Sequence, residues 1–134
     1  MNSARFFSTL CAICALLIFS STTFAAECVR PKVSGYKRVA CISDGLSIVN
    51  KDGKYGAVDN QGSVIIPLEY DYLADFSEGL AHAKKGNKKG YLDTKGNVAI
   101  PFEYDMANSF ENGKAKVQKG EQWFYIDPQG KVVP

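Results

Sequence analysis

Apolar positions in this chain come in short alternating runs. Leu46-Ser47-Ile48-Val49, Tyr55-Gly56-Ala57-Val58-Asp59 and Val64-Ile65-Ile66 follow one another, with turn residues between them. Alternation of this kind places successive side chains on opposite faces of a strand. No window beyond the N-terminus sustains the i, i+3, i+4, i+7 apolar spacing of an amphipathic helix. Three short strands joined by tight turns predict an antiparallel β-meander.

The meander repeats. Asp59 recurs at Asp93 and Asp127, Gly62 at Gly96 and Gly130, Gly45 at Gly79 and Gly113, and Pro67 at Pro101, every step being 34 residues. Ile42–Asp75 and Phe76–Ser109 agree at 14 of 34 positions, and the second copy agrees with Phe110–Pro134 at nine of 25. The organisation read from this is a segment 26–41 followed by units 42–75, 76–109 and a shorter 110–134. A period of 34 also suits a helical tetratricopeptide array. The four or more Gly and Pro residues per full copy and the β-type runs exclude that alternative. The fold class is therefore all-β: tandem β-meander repeats with about three short antiparallel strands each.

Turn chemistry supports the division. Asp59, Asp93 and Asp127 each open a tight turn by accepting a backbone hydrogen bond two residues on, and Gly62, Gly96 and Gly130 supply its positive φ. Pro67 and Pro101 are expected to end the third strand, because proline cannot donate to a ladder. The blocks Pro67–Asp71 and Pro101–Asp105, each carrying Glu-Tyr-Asp (Tyr70-Asp71, Tyr104-Asp105), then carry the chain to the next unit. Phe76 and Phe110 are expected to anchor neighbouring units together.

These residues carry a resemblance. Gly90-Tyr91-Leu92-Asp93-Thr94-Lys95-Gly96, then Ile100-Pro101-Phe102-Glu103-Tyr104-Asp105, resembles the WG repeat family of bacterial β-repeat proteins, and the likeness runs from about Tyr36 to Pro134. The Trp-Gly pair of that family is intact in no copy: Tyr55-Gly56, Lys89-Gly90 and Trp123-Phe124 stand in its place. The resemblance implies an all-β array used as an interaction module. It supplies no catalytic motif.

Composition adds compartment and charge. Met1–Ala25 reads as a secretory signal peptide: Arg5, an apolar run from Phe6 to Phe19, then small residues to Ala25. The apolar core is too short for a membrane span of ~20 residues, so cleavage and export to the periplasm or beyond are expected, without stable membrane insertion. The remaining 109 residues hold 15 basic and 14 acidic side chains, net +1. So small a charge gives no general attraction to nucleic acid. Of four cysteines, Cys11 and Cys14 leave with the signal, and Cys28 and Cys41 are expected to pair in an oxidising compartment.

The chemical candidates are weak. Glu69 with Asp71, and Glu103 with Asp105, could suggest paired carboxylates for glycoside hydrolysis. Their recurrence once per unit favours turn capping. Each Asp-x-x-Gly turn offers one acid, far short of a calcium loop. The single His82 has repeat mates Ile48 and Lys116 and no nucleophile beside it. The run Lys84-Lys85-Gly86-Asn87-Lys88-Lys89 could be an anion or nucleic-acid contact, but as a hairpin tip it reads as a solvated turn whose charges oppose edge aggregation. Neither cofactor nor metal is expected. The aromatic side chains Tyr55, Tyr91, Trp123 and Tyr125 are the candidates for a binding surface. The function expected is a non-enzymatic module for a protein or glycan partner, the alternatives being a small inhibitor of an envelope enzyme and a carbohydrate-binding module. The last copy stops at Val133-Pro134, so its final strand either pairs with 29–42 or forms an edge.

Overall fold

The computed structural model describes residues 27–134; the export leader expected over Met1–Ala25 lies outside them. Twelve strands make three four-stranded antiparallel sheets. The first is β1 (Arg38–Val39), β2 (Leu46–Lys51), β3 (Lys54–Asp59) and β4 (Val64–Tyr70). The second is β5 (Tyr72–Leu73), β6 (Leu80–Lys85), β7 (Lys88–Asp93) and β8 (Val98–Tyr104). The third is β9 (Met106–Ala107), β10 (Ala115–Lys119), β11 (Gln122–Ile126) and β12 (Val132–Val133). Spatial order follows chain order in each. The fourth strand, beyond the three expected, is a two-residue segment that opens each sheet, directly after a crossover in the second and third. Among the described residues no helix is long and apolar enough to cross a membrane.

The turns behave as their chemistry requires. Asp59 Oδ1 accepts from the Gln61 and Ser63 N–H groups at 2.9 Å, and Asp93 and Asp127 repeat this geometry. Gly62, Gly96 and Gly130 adopt φ of 88°, 85° and 82°.

Proline does not end the third strand. β4 and β8 run through Pro67 and Pro101 to Tyr70 and Tyr104. Ala57 pairs with Ile66 and Tyr55 with Tyr70, so two residues of β3 oppose four of β4. The proline lies in this bulge, where no ladder donor is needed. The bulge presses onto the glycine of the preceding strand. A Cβ at Gly90 would stand 2.6 Å from the Ile100 carbonyl oxygen and 2.9 Å from the Pro101 carbonyl carbon. Gly56 meets Ile66 and Pro67 in the same way. In the third sheet Phe124 fills this position, and β12 pairs only with Tyr125 and Ile126, without a bulge.

The core lies between sheets. Leu46, Ile48, Ala57, Ile66 and Tyr70 of the first sheet pack against Leu73, Phe76, Ala81, Ala83 and Leu92 of the second. Leu80, Tyr91, Ile100 and Tyr104 on the other face of the second sheet meet Ala107, Phe110, Ala115, Val117 and Ile126 of the third. Both faces of the middle sheet are thus buried, in contrast to a two-layer sandwich whose outer faces are solvated. Polar links recur at each junction. Ser43 Oγ donates to the Phe76 carbonyl and Ser77 Oγ to that of Phe110, both at 2.7 Å. Gly79 N–H donates to Asp44 and Gly113 N–H to Glu78.

The outer face of the first sheet is covered by the N-terminal segment. Cys28 and Cys41 form a disulfide. Val33 packs over Gly62, and Ser47 Oγ donates to the Ala40 carbonyl at 2.6 Å. Ser47, Val49 and Val58 are fully buried there. Residues 38–39 pair with β2, whereas β12 pairs only with β11, so the last strand is an edge.

Candidate binding groove

An open groove of about 1030 Å³ runs from the second sheet over the crossover at 105–109 to the exposed face of the third. Strand alternation explains its lining. Tyr72 stands opposite Lys84, Lys84 opposite Lys89, and His82 opposite Tyr91, so these side chains share one face of the second sheet. The third sheet buries the Tyr91 part of that face and leaves Tyr72, His82, Lys84 and Lys89 on the groove. The crossover Asp105–Ser109 and the side chains of Lys114, Lys116 and Tyr125 complete it.

Asp71 and Asp105 border the groove but serve the scaffold. Asp71 accepts from Lys54 Nζ at 2.6 Å and from the Gly86 N–H at 2.8 Å, which fastens a crossover to hairpin tips of two successive sheets. Asp105 does the same with Lys88 and the Gly120 N–H. The lysine hydrogen bond first, and the backbone N–H second, hold each carboxyl below its ordinary range. Both carboxylates therefore stay ionised and satisfied at neutral pH, and neither is set up as a general acid. Glu69 and Glu103 make looser ion pairs with Lys85 and Lys119, at 3.4 and 3.9 Å.

His82 is half-buried between aromatic rings, 5.6 Å from the Tyr72 centroid and 6.5 Å from that of Tyr91. Burial first, and the Lys89 charge second, lower its pKa to about 4. It is neutral at pH 7, and its Nδ1 is buried without a hydrogen-bond partner. Among the described residues no group of three or more His, Cys, Asp or Glu side chains converges as a metal site would require.

The four aromatic candidates separate. Tyr91 is not on a surface: it is fully buried, donates its hydroxyl to the Asn108 carbonyl at 2.7 Å and packs edge-on against Phe110. Its burial pushes the phenol pKa up. Its repeat mate Tyr125 is exposed because, among the described residues, no sheet covers the outer face of the third. Trp123 shares that outer face, off the groove, beside Phe124 and Val132. Lys114 lies over the Tyr125 ring at 4.7 Å and Lys116 over Trp123 at 5.3 Å. Tyr55 is half-buried on the first sheet, 5.7 Å from Tyr72. Tyr70 and Tyr104 are core residues.

Sequence reasoning weighed Lys84 and Lys89 as an anion contact but preferred a solvated tip, and it passed over Lys114 and Lys116. The signal was present in strand parity: within the basic run, Lys85 reaches Glu69 and Lys88 reaches Asp105, while Lys84 and Lys89 fall on the groove.

Searches of curated proteins and of solved structures each return no significant match. The family described as "WG containing repeat" matches three successive segments, residues 35–55, 55–88 and 90–123. These cover well over half of the chain, and their frame begins near the aromatic-glycine pair instead of at the sheet boundary. The matched segments hold the glycine pressed against the bulge, the Asp-x-x-Gly turn and the Ile-Pro–Glu-Tyr-Asp crossover, and the chain belongs to the WG containing repeat proteins.

Proposed function

We propose that the protein is an exported, non-enzymatic binding module that takes its partner in the groove between the second and third sheets. The observation that carries this reading is the combination of lysines without ion pairs and exposed tyrosines on one concave surface. A repeat scaffold suits this use, since framework residues hold the sheets while side chains at the open edges are free to vary. The bordering carboxylates Asp71 and Asp105 are committed to lysines and backbone N–H groups, and this supports recognition over acid–base chemistry. The export leader supports an envelope or extracellular partner. Exposed Tyr72, Trp123 and Tyr125 favour a glycan among the partner classes, because tyrosine and tryptophan offer an apolar ring with a polar edge.

Capture from envelope extract and on a glycan array, followed by hydrogen exchange with the captured ligand, tests the proposal. Protection should appear at residues 82–89 and 105–125. A ligand that protects only the first sheet, or none captured in either format, would show the reading to be wrong.

A further inference from the structure

Lys84 and Lys89 stand directly opposite each other across β6 and β7, on the groove face. Like charges in that relation destabilise a sheet. The matching pairs are Asn50–Tyr55 in the first sheet and Gln118–Trp123 in the third, so the scaffold itself has no need of the clash. The next pair along, Lys85–Lys88, is relieved by Glu69 and Asp105. Among the described residues Lys84, Lys89, Lys114 and Lys116 make no ion pair.

The groove also carries acids: Asp71, Asp105 and Glu111. Lys54 and Lys88 pair with the first two. With those partners included, six lysines face three carboxylates, a surplus of three positive charges beside Tyr72 and Tyr125.

We infer that this groove holds an acidic saccharide, a short stretch of a uronic-acid polymer; the inference rests on the binding-module reading and narrows it to one ligand class. Carboxylates of the sugar sit at the Lys84–Lys89 pair and at Lys114 and Lys116. Ring faces of the sugar lie against Tyr72 and Tyr125, which are 42% and 38% exposed. Sugar hydroxyls donate to the remaining acceptors on the rim, Glu111 among them. That last requirement favours a saccharide over an acidic peptide or a polynucleotide, whose anionic groups would meet the rim acids with few donors to offer. The apolar part of the lining includes only Met106 and Ala107 besides the tyrosine rings, which gives a peptide little to anchor in.

Isothermal titration of the full chain with tetragalacturonate, and with the uncharged galactose tetramer of the same linkage, tests the inference. The uronate should bind, more weakly as salt rises, and the neutral tetramer should bind at least tenfold less well. Lys84→Gln with Lys89→Gln should cost about tenfold in affinity, and Tyr125→Ala about fivefold. Lys95→Gln, away from the groove, should leave binding unchanged. The double lysine variant should melt no lower than the parent, because it removes a repulsion; lost binding in it is then not lost folding. Equal affinity for the neutral tetramer, equal affinity for oligoglutamate or an oligodeoxynucleotide of the same charge, indifference to the lysine pair, or no binding of the uronate each overturns the inference. The wider reading stands or falls separately, on the capture experiment.

Discussion

The two ends of the array solve the same problem in opposite ways. Each middle interface needs a sheet face on either side, and an end sheet has one face left over. At the first sheet the chain covers that face itself: the disulfide-closed segment lays Val33 over Gly62 as Ile65 and Ile66 lie over Gly96 between sheets. At the third sheet the face is open, and its residues have changed character. Leu46 and Leu80 become Lys114, Ile48 and His82 become Lys116, and buried Tyr91 becomes exposed Tyr125. The ammonium groups of Lys114 and Lys116 lie over the Tyr125 and Trp123 rings, at 4.7 and 5.3 Å from their centroids. One end is sealed by chain and a covalent bond. The other is made fit for water or a polar ligand by substitution alone.

The comparison can be broken most sharply at the paired tyrosines. Tyr91→Ala should cost about 3–5 kcal/mol, as large-to-small changes of buried aromatics do, whereas Tyr125→Ala should stay within about 0.5 kcal/mol. Urea unfolding of the two variants side by side measures this; equal losses would mean that the outer face of the third sheet is covered in solution. At the sealed end, Cys28→Ser should cost about 3 kcal/mol, the chain-entropy value for so short a loop. Its unfolding should begin in the first sheet, seen as early amide exchange at Ser47, Val49 and Val58.

At the open end, Lys114→Leu with Lys116→Ile restores the apolar character of the buried interfaces. Sedimentation should then show concentration-dependent association stronger than that of the parent. A variant that stays monomeric would mean that shape, and not those two charges, keeps the face free.

A pH-dependent effect concerns His82. Its folded pKa of about 4 lies below the ordinary 6.5, so the unfolded chain binds the proton more readily. The stability it contributes is complete above pH 6.5 and is lost as pH falls toward 4. Asp71 and Asp105 also have lowered values, so their contribution fades only below about pH 3.8. A melting-temperature profile should therefore fall in two stages, and His82→Gln should flatten the first alone.

Much of this was legible beforehand for a physical reason. The Asp-x-x-Gly turns are local chemistry: the acceptor and the N–H groups it binds lie within four residues, so the sequence states the interaction completely. Strand alternation and the 34-residue step are equally local in kind. The disulfide was expected because, with Cys11 and Cys14 read as part of a leader, Cys28 and Cys41 leave one pairing. Proline misled because its missing donor was read as a strand end, when a bulge also dispenses with that donor. The glycine of the aromatic-glycine pair gave no hint of its reason, which is a carbonyl ten residues ahead folded back against it.

The groove was harder to read. Its lysines and tyrosines come from β5, β6, β7, the turn just before β10, β10 and β11, and no spacing links them. Tyr91 and Tyr125 occupy the same position in successive units and look alike in sequence. One is core and the other surface because a third sheet lies over the second and, among the described residues, none lies over the third. The sequence by itself determined the element type, the turns, the period and the covalent tie, all of which depend on neighbours along the chain. Tertiary stacking decided which face of each sheet is buried and which charges are left unpaired. Burial and charge compensation depend on what lies across a gap between sheets, and a repeat pattern is silent about which unit has a neighbour.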